Sequence, residues 1–179
     1  MKIQHLVLLA LAAFAGLSPR AGAQAFVDLG SASSFAVLAG TAVTLSDSGT
    51  IHGDIGYGST FAPGSFTVNG TAYTGAGTYT GAQAALTTAY SAITGQSSTS
   101  TVSTELGGTT RTSGVYDSAA GTFGITGTLT LDGSGDTNSV FIFKMATTLT
   151  TAGSSQVLLT NGARAGNVCL LYTSDAADE

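Results

Sequence analysis

Thr126-Gly127-Thr128-Leu129-Thr130-Leu131-Asp132-Gly133 alternates hydroxyl and apolar side chains and then turns. Strict alternation marks a β-strand with one buried face, because successive side chains point to opposite sides. Leu129 and Leu131 are therefore expected to point inward, and Thr126, Thr128 and Thr130 outward. Around this strand the chain repeats. One copy runs Gly114-Val115-Tyr116, then Phe123-Gly124-Ile125-Thr126, then the Thr/Leu strand. The next runs Val140-Phe141-Ile142-Phe143, then Thr148-Leu149-Thr150-Thr151, then Gln156-Val157-Leu158-Leu159-Thr160-Asn161-Gly162. Tyr116 and Ile142 are 26 apart, Ile125 and Leu149 are 24 apart, and Leu129 and Leu158 are 29 apart. Three short strands per unit of this length make one coil of a β-helix, each strand pairing with its counterpart in the next coil. An antiparallel sandwich is the rival; the three-per-unit recurrence favours the coil.

Upstream, Phe35-Ala36-Val37-Leu38-Ala39 is an apolar run, and Val43-Thr44-Leu45-Ser46 alternates. Ile51 and Ile55 sit in a frame of Gly53, Gly56 and Gly58. Residues 61–80 are Gly-, Thr- and Tyr-rich around a Pro63-Gly64 turn and are expected as a long loop or small cap. Residues 81–95 predict one helix. Ala82, Leu86, Ala89, Tyr90 and Ile93 form one apolar stripe, with Thr80 as N-cap and Gly95 as the C-terminal stop. Ser97 to Thr104 reads as a linker. Asn167-Val168 could open a third copy, but Cys169 to Glu179 breaks the pattern. The folded domain is therefore expected over 24–168, with 169–179 as a non-native tail.

Residues 1–23 read as a secretory signal. Lys2 supplies the positive end, Leu6 to Leu17 an apolar stretch too short to span a bilayer, and Ala21-Gly22-Ala23 a small-x-small cleavage rule. Cleavage before Gln24 predicts an extracellular or periplasmic protein. No Cys follows the cut to carry a lipid anchor, and no later run reaches the roughly 18 apolar residues of a membrane span. The single Cys169 rules out an internal disulfide framework.

Only 8% of the chain is charged, against about 25% in ordinary soluble domains. Thr outnumbers even Gly, itself present 25 times. Uncharged hydroxyls thus replace charges on the surface. The net charge is −5, and past the signal only Arg111, Lys144 and Arg164 are basic. That excludes a phosphate-neutralising patch for nucleic acid and an electrostatic grip on anionic lipid.

Catalysis finds no foothold. His52 is the one histidine past the signal and has no nucleophile motif beside it. Gly-x-Ser-x-Gly is absent. A β-helical polysaccharide lyase needs clustered acids and a positioned base, whereas Arg111, Lys144 and Arg164 are scattered. Asp132-Gly133-Ser134-Gly135-Asp136 lacks the spacing and terminal Glu of an EF-hand loop and reads as a turn. Gly75-Ala76-Gly77-Thr78-Tyr79-Thr80-Gly81 has the wrong spacing for a nucleotide loop. Asn69-Gly70-Thr71 is a glycosylation sequon. No enzyme activity, metal or cofactor is expected.

Several stretches, in order, resemble the secreted microbial ice-binding (antifreeze) proteins. They are Asp28-Leu29-Gly30 with Ser34-Phe35-Ala36-Val37-Leu38-Ala39, Ile51-His52-Gly53-Asp54-Ile55-Gly56, and Ala84-Ala85-Leu86-Thr87-Thr88-Ala89-Tyr90. Gly114-Val115-Tyr116, Thr126 to Gly133 and Val140-Phe141-Ile142-Phe143-Lys144 follow. This ordered set covers roughly 26–168 and is more specific than any one motif. The resemblance implies a mainly β fold: a right-handed discontinuous β-helix, with one long α-helix packed alongside. It also implies ice as the ligand, growth and recrystallisation of ice as the process inhibited, and a monomer when complete. Members continue past the position of Val168 with further coils, so the expected fold is incomplete at the C-terminus and leaves an open strand edge.

The Thr rows supply a mechanism. Strands of stacked coils lie roughly 4.7–4.9 Å apart, so outward Thr on successive coils forms a regular grid of methyls and hydroxyls. The stiff χ1 of Thr holds that grid rigid before any ligand arrives. The expected contact residues are Thr41, Thr44, Ser46, Thr128, Thr130, Thr148 and Thr150, which can fall on two faces of a triangular coil. The alternative is a secreted adhesin or carbohydrate-binding β-helix, suggested by Tyr73 and Tyr79 as exposed aromatics. A degenerate lyase ranks below both.

Overall fold

The computed structural model describes residues 26–173. A short 3-10 turn, Gly30–Ser34, leads into the first coil: β1 (Phe35–Leu38), β2 (Ala42–Thr44) and β3 (Ser48–His52). The second coil is β4 (Asp54–Gly56), β5 (Thr60–Ala62) and β6 (Ser65–Asn69). A third begins with β7 (Ala72–Tyr73) and gives way to α1 (Thr78–Thr94). The coils resume with β8 (Ser100–Val102) and β9 (Thr110–Arg111), then β10 (Gly114–Ser118), β11 (Phe123–Ile125) and β12 (Thr128–Asp132). The next is β13 (Phe141–Met145), β14 (Leu149–Thr151) and β15 (Gln156–Thr160), and β16 (Val168–Tyr172) follows.

Every strand pairing among the described residues is parallel, and each joins a strand to its counterpart one coil away. That is a β-helix and removes the antiparallel sandwich. It comes in two blocks, with sheets β1-β4-β7, β2-β5 and β3-β6 before α1, and β8-β10-β13-β16, β11-β14 and β9-β12-β15 after it. The coils before the helix are short: Phe35 pairs with Asp54 and Ile51 with Val68, sequence offsets of 19 and 17. The last two coils are longer: Phe123 pairs with Leu149 and Leu129 with Val157, offsets of 26 and 28.

The interior of the second block is apolar throughout. Leu106, Tyr116, Phe123, Ile125, Leu129, Leu131, Phe141, Phe143 and Met145 line it around an apolar cavity of about 190 Å³, with Phe143 stacked on Tyr116 (5.4 Å) and edge-on to Phe123 (5.8 Å). The sheet β8-β10-β13-β16 is also covered outside. Ala89 and Ile93 of α1 pack with Val115, Val140, Ile142 and Leu171. Burial on both faces explains why Val140-Phe141-Ile142-Phe143 is a continuous apolar run while β12, with one face outward, alternates.

Several expectations change. Residues 61–80 are no loop: they hold β5, β6, β7 and the start of α1. Ser97 to Thr104 is not wholly a linker, since β8 lies within it. Tyr116 pairs with Phe143, Ile125 with Thr151 and Leu129 with Val157, so the expected partners are displaced by one or two positions. A one-residue slip exchanges inward and outward positions, so these shifts decide which side chains share a face. Strand β16 continues the coil pattern past 168 to Tyr172, with Cys169 opposite Ile142. The expected signal peptide and residues 174–179 lie outside the described residues.

The helix begins earlier than its stripe suggests. Gly77 is its N-cap, and Thr80 sits inside the first turn, its Oγ1 accepting the Gly77 N–H (3.0 Å). Tyr79, Ala82, Ala89 and Ile93 form the buried stripe, whereas Leu86 and Tyr90 are exposed. The Lys144 ammonium donates to the Gln96 carbonyl (2.7 Å) and the Thr94 carbonyl (3.4 Å), fastening the helix end to β13. Among the described residues no helix is long and apolar enough to cross a membrane.

Candidate functional site: the outward hydroxyl faces

Four outward sheets remain once α1 has covered the others. On β3 and β6 the inward side chains are Ile51 and Val68, with Phe66 lying under Gly49. A Cβ on Gly49 would stand 2.7 Å from the Phe66 ring, so the smallest residue makes room for the largest. The outward partners are Ser48↔Ser65, Thr50↔Thr67 and His52↔Asn69, all exposed. Asn69 Nδ2 donates to His52 Nδ1 (3.3 Å).

On β2 and β5, Val43 and Phe61 point inward while Ala42↔Thr60 and Thr44↔Ala62 face outward. On β11 and β14, Phe123↔Leu149 is inward and Gly124↔Thr150 outward. On β9-β12-β15 the outward rows are Thr110, Thr130 and Leu158, then Thr128 and Gln156, then Asp132 and Thr160.

The seven expected contact residues therefore divide among separate sheets. Thr44 lies on β2, with Thr41 and Ser46 in the turns beside it, all three exposed. Thr150 lies on β14 and Thr148 just before it, both exposed. Thr128 and Thr130 share β12 but are half-buried, and Gln156 Nε2 donates to Thr128 Oγ1 (2.9 Å). Sequence reasoning missed Ser48, Thr50, Ser65 and Thr67. Their signal is a repeat at an offset of 17: Ser48-Gly49-Thr50-Ile51-His52-Gly53 against Ser65-Phe66-Thr67-Val68-Asn69-Gly70. The closing glycines are demanded by the corner. Gly53 adopts φ 125°, and a Cβ on Gly70 would strike the Gly53 carbonyl oxygen.

Three of the carboxylates are tied up by turn backbone. Glu105 accepts the N–H groups of Thr126 and Gly107, which hold its carboxyl below the usual glutamate range. The N–H of Ser134 and the Asn161 amide lower Asp132 in the same way. Asp136 accepts the Asn138 N–H, so the Asp132 to Asp136 stretch is a turn held by its own carboxylates. Burial pushes the Cys169 thiol up, away from the reactive thiolate.

The aromatic pair behind the adhesin reading is not displayed. Tyr79 is buried, its hydroxyl donating to the Ala39 and Gly40 carbonyls, and Tyr73 is half-buried against Phe35 (5.7 Å).

This arrangement has relatives. The chain is 36% identical over 162 residues to an ice-binding protein of Nostoc sp. (strain HG1), covering 89% of this chain and 60% of that protein. It thus spans less than two thirds of that relative's length. The crystal structure of the ice-binding protein of the Antarctic ascomycete Antarctomyces psychrotrophicus superposes with a TM-score of 0.74 at 38% identity, over 83% of this chain and 74% of that one. The Shewanella frigidimarina ice-binding protein 1 domain gives 0.66 at 30% identity, over 83% and 77%. Residues 37–177 match the Ice-binding-like family profile. With parallel coils, a helix laid along one sheet and this matched span, the chain belongs to the Ice-binding-like family.

Proposed function

We propose that this protein is exported and binds ice, arresting crystal growth and recrystallisation without any reaction or cofactor. The observation that carries the reading is the set of exposed, uncharged outward hydroxyls on parallel coils, with Glu105 and Asp132 engaged by turn backbone. A rigid, uncharged hydroxyl and methyl surface can order water and adsorb with little entropy loss, because its side chains are already fixed. Thr41, Thr44 and Ser46 with Thr60 on the β2/β5 side, and Thr148 and Thr150 on the β11/β14 side, are the proposed contact groups. Thr128 and Thr130 belong to the same proposal from β12. Export rests on the charged, apolar and small-residue order of residues 1–23. The family match and the named relatives support ice as ligand over a carbohydrate.

The test is an ice-recrystallisation assay on the chain from Gln24 onward, with Thr44→Tyr, Thr128→Tyr and Thr150→Tyr variants beside it. The expected result is small, stable crystals with the parent and coarser ones with at least one variant. A parent indistinguishable from buffer would overturn the reading. Unchanged activity in all three variants would overturn only these contact positions.

A further inference from the structure

Four further hydroxyls, outside that proposed set, share the free and exposed state of Thr44, Thr60 and Thr150 but stand on a different pair of strands. Many Ser and Thr side chains in this chain are engaged internally: Thr87, Thr88 and Thr94 bond back to helix carbonyls, Ser113 donates to Val140, and Ser139 to Gly133. Ser48, Thr50, Ser65 and Thr67 are exposed and make no hydrogen bond to the protein through their side chains among the described residues. They stand in register as a two-by-two grid. Positions i and i+2 on one strand are roughly 6.6 Å apart, and the paired strands roughly 4.8 Å. Half-buried Ile51, Phe66 and Val68 line the inner side of the two strands, with Phe66 under Gly49. The four positions carry no charge; exposed Asp47 borders the grid just before Ser48. At its far end the His52 ring is engaged by Asn69.

An uncharged lattice of donors and acceptors suits a ligand of the same character. An anionic polymer or lipid headgroup finds no counter-charge there, the lone Asp47 at the edge gives a cationic one a single contact, and a sugar finds no exposed aromatic on these strands. We infer that the β3/β6 face is a second ice-contacting surface, separate from the β2/β5 and β11/β14 positions, with Ser48, Thr50, Ser65 and Thr67 as its contact residues. This rests on the ice-binding reading above. Two active faces on different sheets would let one molecule seat on more than one crystal plane.

The experiment uses the chain with a fluorescent protein fused at its C-terminus, adsorbed to a single-crystal ice hemisphere, together with recrystallisation titrations. Thr50→Tyr with Thr67→Tyr keeps β-forming residues on an exposed face, so the melting curve should not move. The expected result is loss of one set of stained planes and a roughly tenfold higher concentration for arrest, equivalent to about 1.4 kcal/mol of lost adsorption. Thr44→Tyr with Thr150→Tyr should spare those planes and remove others. Should the tyrosine pair unfold the chain, Thr67→Lys is read instead, with the same expectation. A parent that stains no plane overturns both readings. A parent that stains while the β3/β6 variants stain identically overturns this inference and leaves ice binding standing.

Discussion

Phe143→Ala tests whether the second block of coils is a packed solid. Phe143 is 2% exposed and stands between two rings, stacked on Tyr116 at 24° and edge-on to Phe123 at 88°. Truncating a buried Phe costs about 3–5 kcal/mol, the transfer of the lost atoms plus the cavity left behind. Each aromatic pair adds about 0.5–1.5 kcal/mol beyond area. Both pairs vanish together, so the upper part of that range is expected, about 4–5 kcal/mol. Phe143→Leu keeps most of the volume and loses the ring geometry, so about 1–2 kcal/mol is expected. Equilibrium denaturation followed by circular dichroism reads both. For a domain of this size 1 kcal/mol moves Tm by about 2–4 °C, which puts the alanine variant about 8–20 °C below the parent. Thr150→Ala, outward on β14, should stay within about 0.5 kcal/mol. A loss under about 1 kcal/mol for Phe143→Ala would refute the packed interior, since only a coil that collapses freely or is already hydrated could absorb the deletion.

Three other outcomes follow from local geometry. Gly107→Ala places a Cβ against the Thr126 carbonyl oxygen, a backbone atom that cannot swing aside, so a loss of about 2 kcal/mol or more is expected in the same denaturation experiment. Glu105→Gln keeps an acceptor oxygen but removes the charge of a carboxyl held low by the Thr126 and Gly107 N–H groups. A depressed folded value gives stability that is present above the unfolded glutamate pKa of about 4.3 and is lost as pH falls through the folded value. The parent should therefore lose stability on acidification below that point, while the glutamine variant starts lower at neutral pH and lacks this part of the acid limb in pH-dependent melting. Lys144→Met removes the ammonium from the Gln96 and Thr94 carbonyls. Faster amide exchange in the last turn of α1 is expected, worth about 0.3–1 kcal/mol and shrinking with salt.

Legibility followed burial. The strand Thr128–Asp132 is readable because one side faces a deep apolar interior and the other faces out. Val140-Phe141-Ile142-Phe143 is readable because α1 buries its other face too. The register between coils is not. Ile125 can meet Leu149 or Thr151 with equal local sense, since corners absorb one or two positions and apolar partners are interchangeable in pattern. Residues 61–80 are hidden for a different reason. The strands β5 and β7 are too short for alternation to stand out beside a Pro63-Gly64 turn. β6 does alternate, but its copy is β3, with Ser65 opposite Ser48. That offset is much smaller than the spacing the C-terminal coils advertise. Leu86 and Tyr90 match the helical stripe yet lie exposed, because helical period defines a line along α1 and not how much of it the sheets cover.

Coil size divides the chain into two blocks of different character. The short coils before the helix have little length to spare between their strands, so nearly all of each is strand and tight corner. The longer coils after it carry their surplus in turns, and the charges gather in that block: Glu105, Arg111, Asp117, Asp132, Asp136, Lys144 and Arg164, against Asp47 and Asp54 among the strands before the helix. The longer coils also enclose the larger interior, with Phe123, Phe141, Phe143 and Met145. Burial there supplies most of the apolar driving force, whereas the shorter coils carry the free hydroxyl grid on a thinner core of Val43, Ile55 and Phe66. The larger buried core and the β3/β6 hydroxyl grid thus lie in different blocks joined by α1, which touches both through Tyr79 at one end and Ile93 at the other. Substitutions in the two blocks should accordingly separate: Phe143→Ala lowers Tm and reduces ice activity only through the unfolded fraction, while Thr50→Tyr with Thr67→Tyr reduces activity at unchanged Tm.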